Sequence, residues 1–149
     1  LDAAEKNLRQ AASLAGGEEA APHMALAELY LQDERPTRGL VEAERATQLD
    51  GGAMAWYLHG RAHFALENFD RAEDDFRRAV LADPAHAEAR GGIGHIRALQ
   101  KDWKAAADAF RSVLSLDPNN VAARENLREV EKELLETNDE ASSSPDKTR

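Results

Sequence analysis

Apolar residues along this chain recur three or four positions apart, the rhythm of amphipathic helices, with short polar breaks between the runs. Three stretches, VEAERATQLDGG, AEDDFRRAVLADPAH and AADAFRSVLSLDPNN, align with one another. Each reads as an amphipathic helix that closes on Asp followed by Gly or Pro: Asp50-Gly51, Asp83-Pro84 and Asp117-Pro118. Proline disfavours the α conformation of the residue before it and so ends the helix. These stops recur at an interval of about 34 residues. Upstream of each lies a second helical pattern, set off by the polar breaks QDERPT, ENFD and QKDW. Asn68 and Asp102 suit the N-cap of the later helix, and Pro36 suits its first turn.

A unit of two helices at this period resembles the tetratricopeptide repeat, whose signature runs W-x2-L-G-x2-Y, then A-x3-F and a closing P. In the middle unit Trp56, Gly60, Ala72, Phe76, Ala79 and Pro84 fit, with His59 and His63 where Leu and Tyr are usual. In the third, Ile93, Gly94, Ala106, Phe110 and Pro118 fit, with Arg90 in place of Trp. The first carries Leu26, Ala27 and Tyr30, small residues at Gly39 and Ala43, and Gly51 for Pro. The resemblance implies an all-α, right-handed α-solenoid of stacked antiparallel helix pairs. Residues 18–52, 53–86 and 87–120 would be the three full units. Residues 1–17, with Ala4, Leu8, Ala11 and Gly16 in register, would be the second helix of a preceding unit. Residues 121–136 would be a capping helix with Leu127, Val130, Leu134 and Leu135 as its apolar stripe, since such arrays need their last core face covered. Residues 137–149 lack apolar content and are expected to be disordered. A chain that opens on Leu1 and half a repeat is expected to be cut from something longer.

The glycines of ARGGIGHIRALQ, residues 89–100, raise the question of a phosphate loop. Such a loop needs a strand before it and a helix start after it, whereas Ala89, Ile93, Ile96 and Leu99 keep helical spacing through the stretch. Gly94, like Gly60 and Ala27, is expected where the two helices of a unit cross closely. Gly91 is placed by the family pattern on the inner surface, where it leaves room for a ligand. Gly92 has no such explanation, and either glycine costs a helix roughly 0.5–1 kcal/mol relative to Ala.

Composition narrows the function. The 149 residues suffice for one domain with a core, and alanine is the largest contributor to the 42% apolar content. A net charge of −9, with Arg interleaved among Asp and Glu, argues against nucleic acid as partner. The lack of cysteine removes disulfides and thiolate chemistry and leaves the compartment open between cytoplasm and periplasm. No apolar run approaches the ~18 residues of a membrane span. The Ala and Arg content hints at a GC-rich bacterial genome.

Few residues invite chemistry. His59 and His63 stand one helical turn apart, a spacing that holds zinc only if a third ligand comes from elsewhere. Both imidazoles are instead expected in core positions, hydrogen-bonded within the helix pair. Asp74 and Asp75 point about 100° apart on a helix and are expected to be solvated rather than paired. No catalytic grouping, metal site or cofactor is assigned.

The family's concave groove, lined mainly by the first helix of each unit, typically receives an extended or helical peptide. Carried over, its places fall on Met24, Glu28 and Leu31 of the first unit and on Met54, Tyr57, Arg61 and Phe64 of the second. The third contributes Glu88, Gly91, His95 and Ala98, and the capping helix Glu125 and Glu129. Members that clamp the C-terminal carboxylate of heat-shock chaperones use Lys, Asn and Arg here. Met24, Glu28, Tyr57 and Gly91 hold such places instead, so that partner is not expected. The function implied is a non-catalytic scaffold or adaptor that binds a protein segment, with Glu residues favouring a basic or amphipathic one. Alternatives are a regulatory or targeting part of a longer enzyme or assembly factor, and self-assembly through Leu1, Leu8 and Leu14 of the first helix.

Overall fold

A computed structural model of the chain describes residues 2–14, 16, 18–49 and 52–143. Its helices are α1 (Asp2–Leu14), α2 (Ala20–Gln32), α3 (Pro36–Leu49), α4 (Ala53–Ala65), α5 (Phe69–Ala82), α6 (Ala87–Leu99), α7 (Trp103–Leu116) and α8 (Val121–Ser143). No strand occurs among the described residues. Helices α2/α3, α4/α5 and α6/α7 pair, and α2, α4 and α6 also touch in succession. The first helices of the units therefore form one continuous face.

The turns inside the units repeat as closely as the helices do. Glu34, Glu67 and Lys101 each take a left-handed φ, of 55°, 59° and 59°. The amide after each donates back to a carbonyl in the ending helix: Arg35 N to Tyr30 O, Asn68 N to His63 O, Asp102 N to Arg97 O, at 2.8–2.9 Å. This bond satisfies a carbonyl that the helix end would leave orphaned. Pro36 opens α3 as expected, and Asp102 caps α7 by accepting from Ala105 N at 3.2 Å. Asn68 occupies the N-cap of α5 but makes no side-chain cap bond. Between units, Asp83 and Asp117 each fold the Asp-Pro turn by accepting from the amide two residues on, Ala85 at 2.9 Å and Asn119 at 3.0 Å. Arg90, which stands where Trp is usual, ties that turn down by donating to Pro84 O at 2.7 Å, and Arg124 repeats this with Pro118 O at 2.6 Å.

The core runs as three layers between the helices. Ala27, Ala43 and Leu58 form the first, and Ala72, Phe76, Ala79, Ala89 and Ile96 the second. Ala106, Ala107, Phe110 and Val130 form the third, which α8 closes with Leu127 and Val130. Alanines let the helices approach, and the large rings then fill what space remains. Phe76 is the clearest case, being 2% exposed. A Cβ on Gly60 would come within 2.7 Å of its ring, and one on Gly92 within 2.6 Å. Gly60 belongs to the same unit and Gly92 to the next, so Phe76 is held from both sides by missing side chains. That accounts for Gly92, whose role the sequence left unexplained. Gly94 does for Phe110 what Gly60 does for Phe76, at 2.8 Å.

The C-terminal helix differs from expectation. α8 runs to Ser143, past the boundary at 136, because neither Gly nor Pro interrupts it before Pro145. Thr137 sits within it, its Oγ1 donating to Leu134 O at 3.0 Å. Leu135, expected in the apolar stripe, is 67% exposed. The stripe follows Ala123, Leu127 and Val130, the side that α7 covers. Residues 144–149 of the expected tail lie outside the described residues.

At the other end α1 leans on α2 through a polar network. The Tyr30 hydroxyl donates to Glu5 Oε1 at 2.8 Å, and Arg9 donates to both Tyr30 Oη, at 2.7 Å, and Glu5 Oε1, at 3.1 Å. Those bonds hold the Glu5 carboxyl below its ordinary range, the Tyr30 hydroxyl first and Arg9 second. Leu8 is half-buried and Leu14 exposed, while Leu1 lies outside the described residues.

Candidate functional site

A cleft of about 570 Å³ opens on the face made by the first helices. Its floor is apolar, with Phe76, Phe110 and Gly92 at the bottom. Leu31, Tyr57, Arg61, Phe64, Glu88, Gly91 and His95, all carried over from the family pattern, line it. They come from α2, α4 and α6, which shows why helical spacing alone gathers them: positions a turn apart on stacked helices share one face.

The rings are fixed. Tyr57 packs against Phe76 and His86, with centroids 5.9 and 4.8 Å away, and Phe64 meets Phe69 edge-on at 5.5 Å. Each therefore completes the packing of the middle unit and also presents one surface to the cleft. Burial raises the Tyr57 phenol above its ordinary pKa, Arg61 opposing this and Glu88 and Glu28 adding to it. The Arg61 guanidinium lies 5.6 Å from the Tyr57 ring centroid. At the rim, His95 sits edge-on to Phe110 at 5.3 Å, with Nε2 3.4 Å from Asn126 Nδ2. Gly91 carries nothing in front of it: a Cβ there meets no atom within 4 Å.

A second cleft of about 540 Å³ continues past Phe64 and His95 towards the end of α8. Ala98 and Glu129 line it, together with Trp103, Val130 and Glu133. Met24, Glu28, Met54 and Glu125 line neither cleft. Met24 packs on the first core layer, and Met54 stands half exposed at the start of α4. On α8 it is Asn126, not Glu125, that lines both clefts. Asn120, Asn126 and Asp117 escape the sequence reading because two stand at the turn before α8 and the third on a side of α8 that only its packing angle selects.

The helix pair of the middle unit holds a different cluster. His59 is half-buried and hydrogen-bonded to Asp75, Nδ1 to Oδ2 at 2.7 Å. Asp75, expected on a solvated face, is 4% exposed, because position 75 of α5 points at α4 while Asp74 points away. His63 is 5% exposed, and its Nδ1 has no hydrogen-bond partner. Burial, with His59 beside it, keeps the His63 imidazole below its ordinary pKa, Asp75 opposing. Glu73 was likewise missed: this buried carboxylate accepts from Arg97 of α6 at 2.5 Å, joining successive units.

The paired helices and the face they share define an α-solenoid. Residues 57–121 match the tetratricopeptide repeat family, and the helices on either side continue that fold. RNA polymerase II-associated protein 3 of Xenopus tropicalis is 36% identical over 73 residues, which are 49% of this chain and 11% of that protein. Protein bimA of Emericella nidulans is 33% identical over 78 residues, 52% of this chain and 10% of that one. The chain thus spans about a tenth of these relatives. Among solved structures, the first TPR of Spaghetti (RPAP3) bound to the HSP90 peptide SRMEEVD superposes with a TM-score of 0.75 at 22% identity, over 78% of this chain and 94% of that one. MamA gives 0.76 at 18% identity, over 99% and 88%.

Proposed function

We propose that this chain is a non-catalytic interaction module that holds a segment of a partner protein in the cleft between α2, α4, α6 and α8. The observation that carries the reading is the cleft itself: side chains from three successive repeats meet on a single apolar floor, with Gly91 leaving it open. The peptide bound to the solenoid of Spaghetti supports the mode of binding.

The chemistry of the walls selects the partner. Glu88 and Asp117 line the first cleft, and Glu129 and Glu133 the second, against Arg61 and Lys101 as lining cations. An aromatic or aliphatic anchor would sit on Tyr57 and Phe64, with Lys or Arg on either side of it meeting the carboxylates. An acidic tail such as SRMEEVD suits these walls poorly. The test is selection from a displayed random-peptide library, run in parallel on the chain and on Gly91→Leu, which fills the cleft from a position with open space in front of it. Enrichment of apolar-anchored basic peptides on the unmodified chain alone is expected. Equal enrichment on both proteins, or preference for acidic C-terminal peptides, would overturn the reading.

A further inference from the structure

The middle unit carries three side chains whose chemistry its packing does not require. A hydrocarbon at position 59 or 63 would fill the space between α4 and α5, yet both positions are histidine, and the neighbour across the helix pair is a buried aspartate. One ring nitrogen from each histidine and one oxygen of Asp75 lie within 4.8 Å of one another. The two imidazoles meet edge-on, with centroids 4.7 Å apart and planes at 83°. We propose that His59, His63 and Asp75 form a binding site for a divalent transition ion of the zinc type, which clamps α4 to α5.

Two features of the cluster point to a ligand rather than to a finished hydrogen-bond network. The first is the unpartnered Nδ1 of His63, in a side chain more than nine-tenths buried. A buried polar atom without a partner costs about 1–3 kcal/mol, and native structures rarely keep one without a reason such as an ion. The second is the mixed donor set. Two imidazole nitrogens with one carboxylate oxygen suit zinc and its neighbours, whereas magnesium and calcium prefer sites made of oxygen. The repeat geometry supplies the spacing, since His59 and His63 are one turn apart on α4 and Asp75 faces them from α5.

Bonds of about 2.0–2.2 Å would bring tetrahedral ligand atoms to about 3.5 Å from each other. The widest separation, at most 4.8 Å, has to close by roughly an ångström, a change that side-chain rotation can supply. Any proton on the imidazole nitrogen that the ion takes is released to solvent. Solvent would hold the fourth position, reached past half-buried His59. The surrounding charges are mixed. Arg78 lies 3.7 Å from Asp75 Oδ1 and stacks over Trp56 at 4.6 Å, more than half exposed, so its charge on the carboxylate is screened by solvent. Arg71 and Glu44 also act on His63 and oppose each other. None of the three ligands lines either cleft, so the site stands independently of the groove.

The experiment uses tag-free, chelator-stripped protein titrated with Zn²⁺ by calorimetry, and with Co²⁺ as a spectroscopic probe of coordination. One equivalent is expected to bind, with a visible Co²⁺ spectrum showing nitrogen ligands and a rise in melting temperature. His59→Gln and His63→Gln should each weaken binding at least 100-fold, while His23→Gln, a histidine paired with Glu42 outside the cluster, should bind as the unmodified chain does. Should a glutamine variant lose its helical circular dichroism, Asp75→Asn gives the same reading through the Co²⁺ spectrum. Absence of one-equivalent binding to the unmodified chain overturns the proposal whatever the variants do. Binding that survives His63→Gln undiminished overturns it as well.

Discussion

Gly91 and Gly92 are neighbours on α6, and alanine should change stability in opposite directions at the two. At Gly91 the new methyl meets nothing within 4 Å, so the helix simply regains what glycine withholds, about 0.5–1 kcal/mol. At Gly92 the methyl would come 2.6 Å from Cε2 and 2.8 Å from Cδ2 of Phe76. A flexible side chain would move aside. Phe76 has nowhere to go, because a Cβ on Gly60 would already be 2.7 Å from Cδ1 on its other side. Overpacking of this kind costs typically 1–3 kcal/mol, more than the helical gain, so a net loss of about 1 kcal/mol is expected. Urea unfolding followed by circular dichroism reads both changes, and a shift of about 2–4 °C in melting temperature per kcal/mol gives an independent measure. Phe76→Leu should relieve the crowding, so the double variant with Gly92→Ala should be more stable than the sum of its parts by at least about 0.5 kcal/mol. Gly92→Ala at or above the stability of the unmodified chain, or additivity in that cycle, would refute the clamp on Phe76.

Glu67→Gly should stabilise the chain by up to about 1 kcal/mol, since the left-handed backbone at this turn strains any residue with a Cβ; a loss in urea unfolding would count against it. Glu5 has a lowered carboxyl pKa in the folded chain, so the stability it lends is complete above the ordinary carboxylate range and fades as pH falls through the folded value. The melting temperatures of the unmodified chain and Glu5→Gln should accordingly differ at neutral pH and converge in acid; a constant gap would show that Glu5 acts by packing alone.

Much of this architecture is legible in the sequence because it is periodic. The Asp-Pro stops, Pro36, Asp102 and the glycines at 60 and 94 announce themselves by recurring in register. What escapes is whatever depends on a partner in another helix. Asp75 looks like one more surface carboxylate until α4 brings His59 to 2.7 Å, and Glu73 until α6 brings Arg97. Gly92 looks wasteful until a ring from the preceding unit arrives against it. The cleft divides in the same way: spacing along α4 and α6 gathers Tyr57, Arg61, Phe64, Gly91 and His95, but Asn126 joins them only through the angle at which α8 packs.

Whether the cleft receives a partner segment is decided by titrating the isotope-labelled chain with a selected peptide and following its amide resonances. Binding in the cleft puts the largest shifts on Tyr57, Phe64, Gly91, His95 and Asn126, and Gly91→Leu abolishes them. Shifts concentrated on α3, α5 and α7, and unaffected by Gly91→Leu, would place binding on the outer face and contradict it.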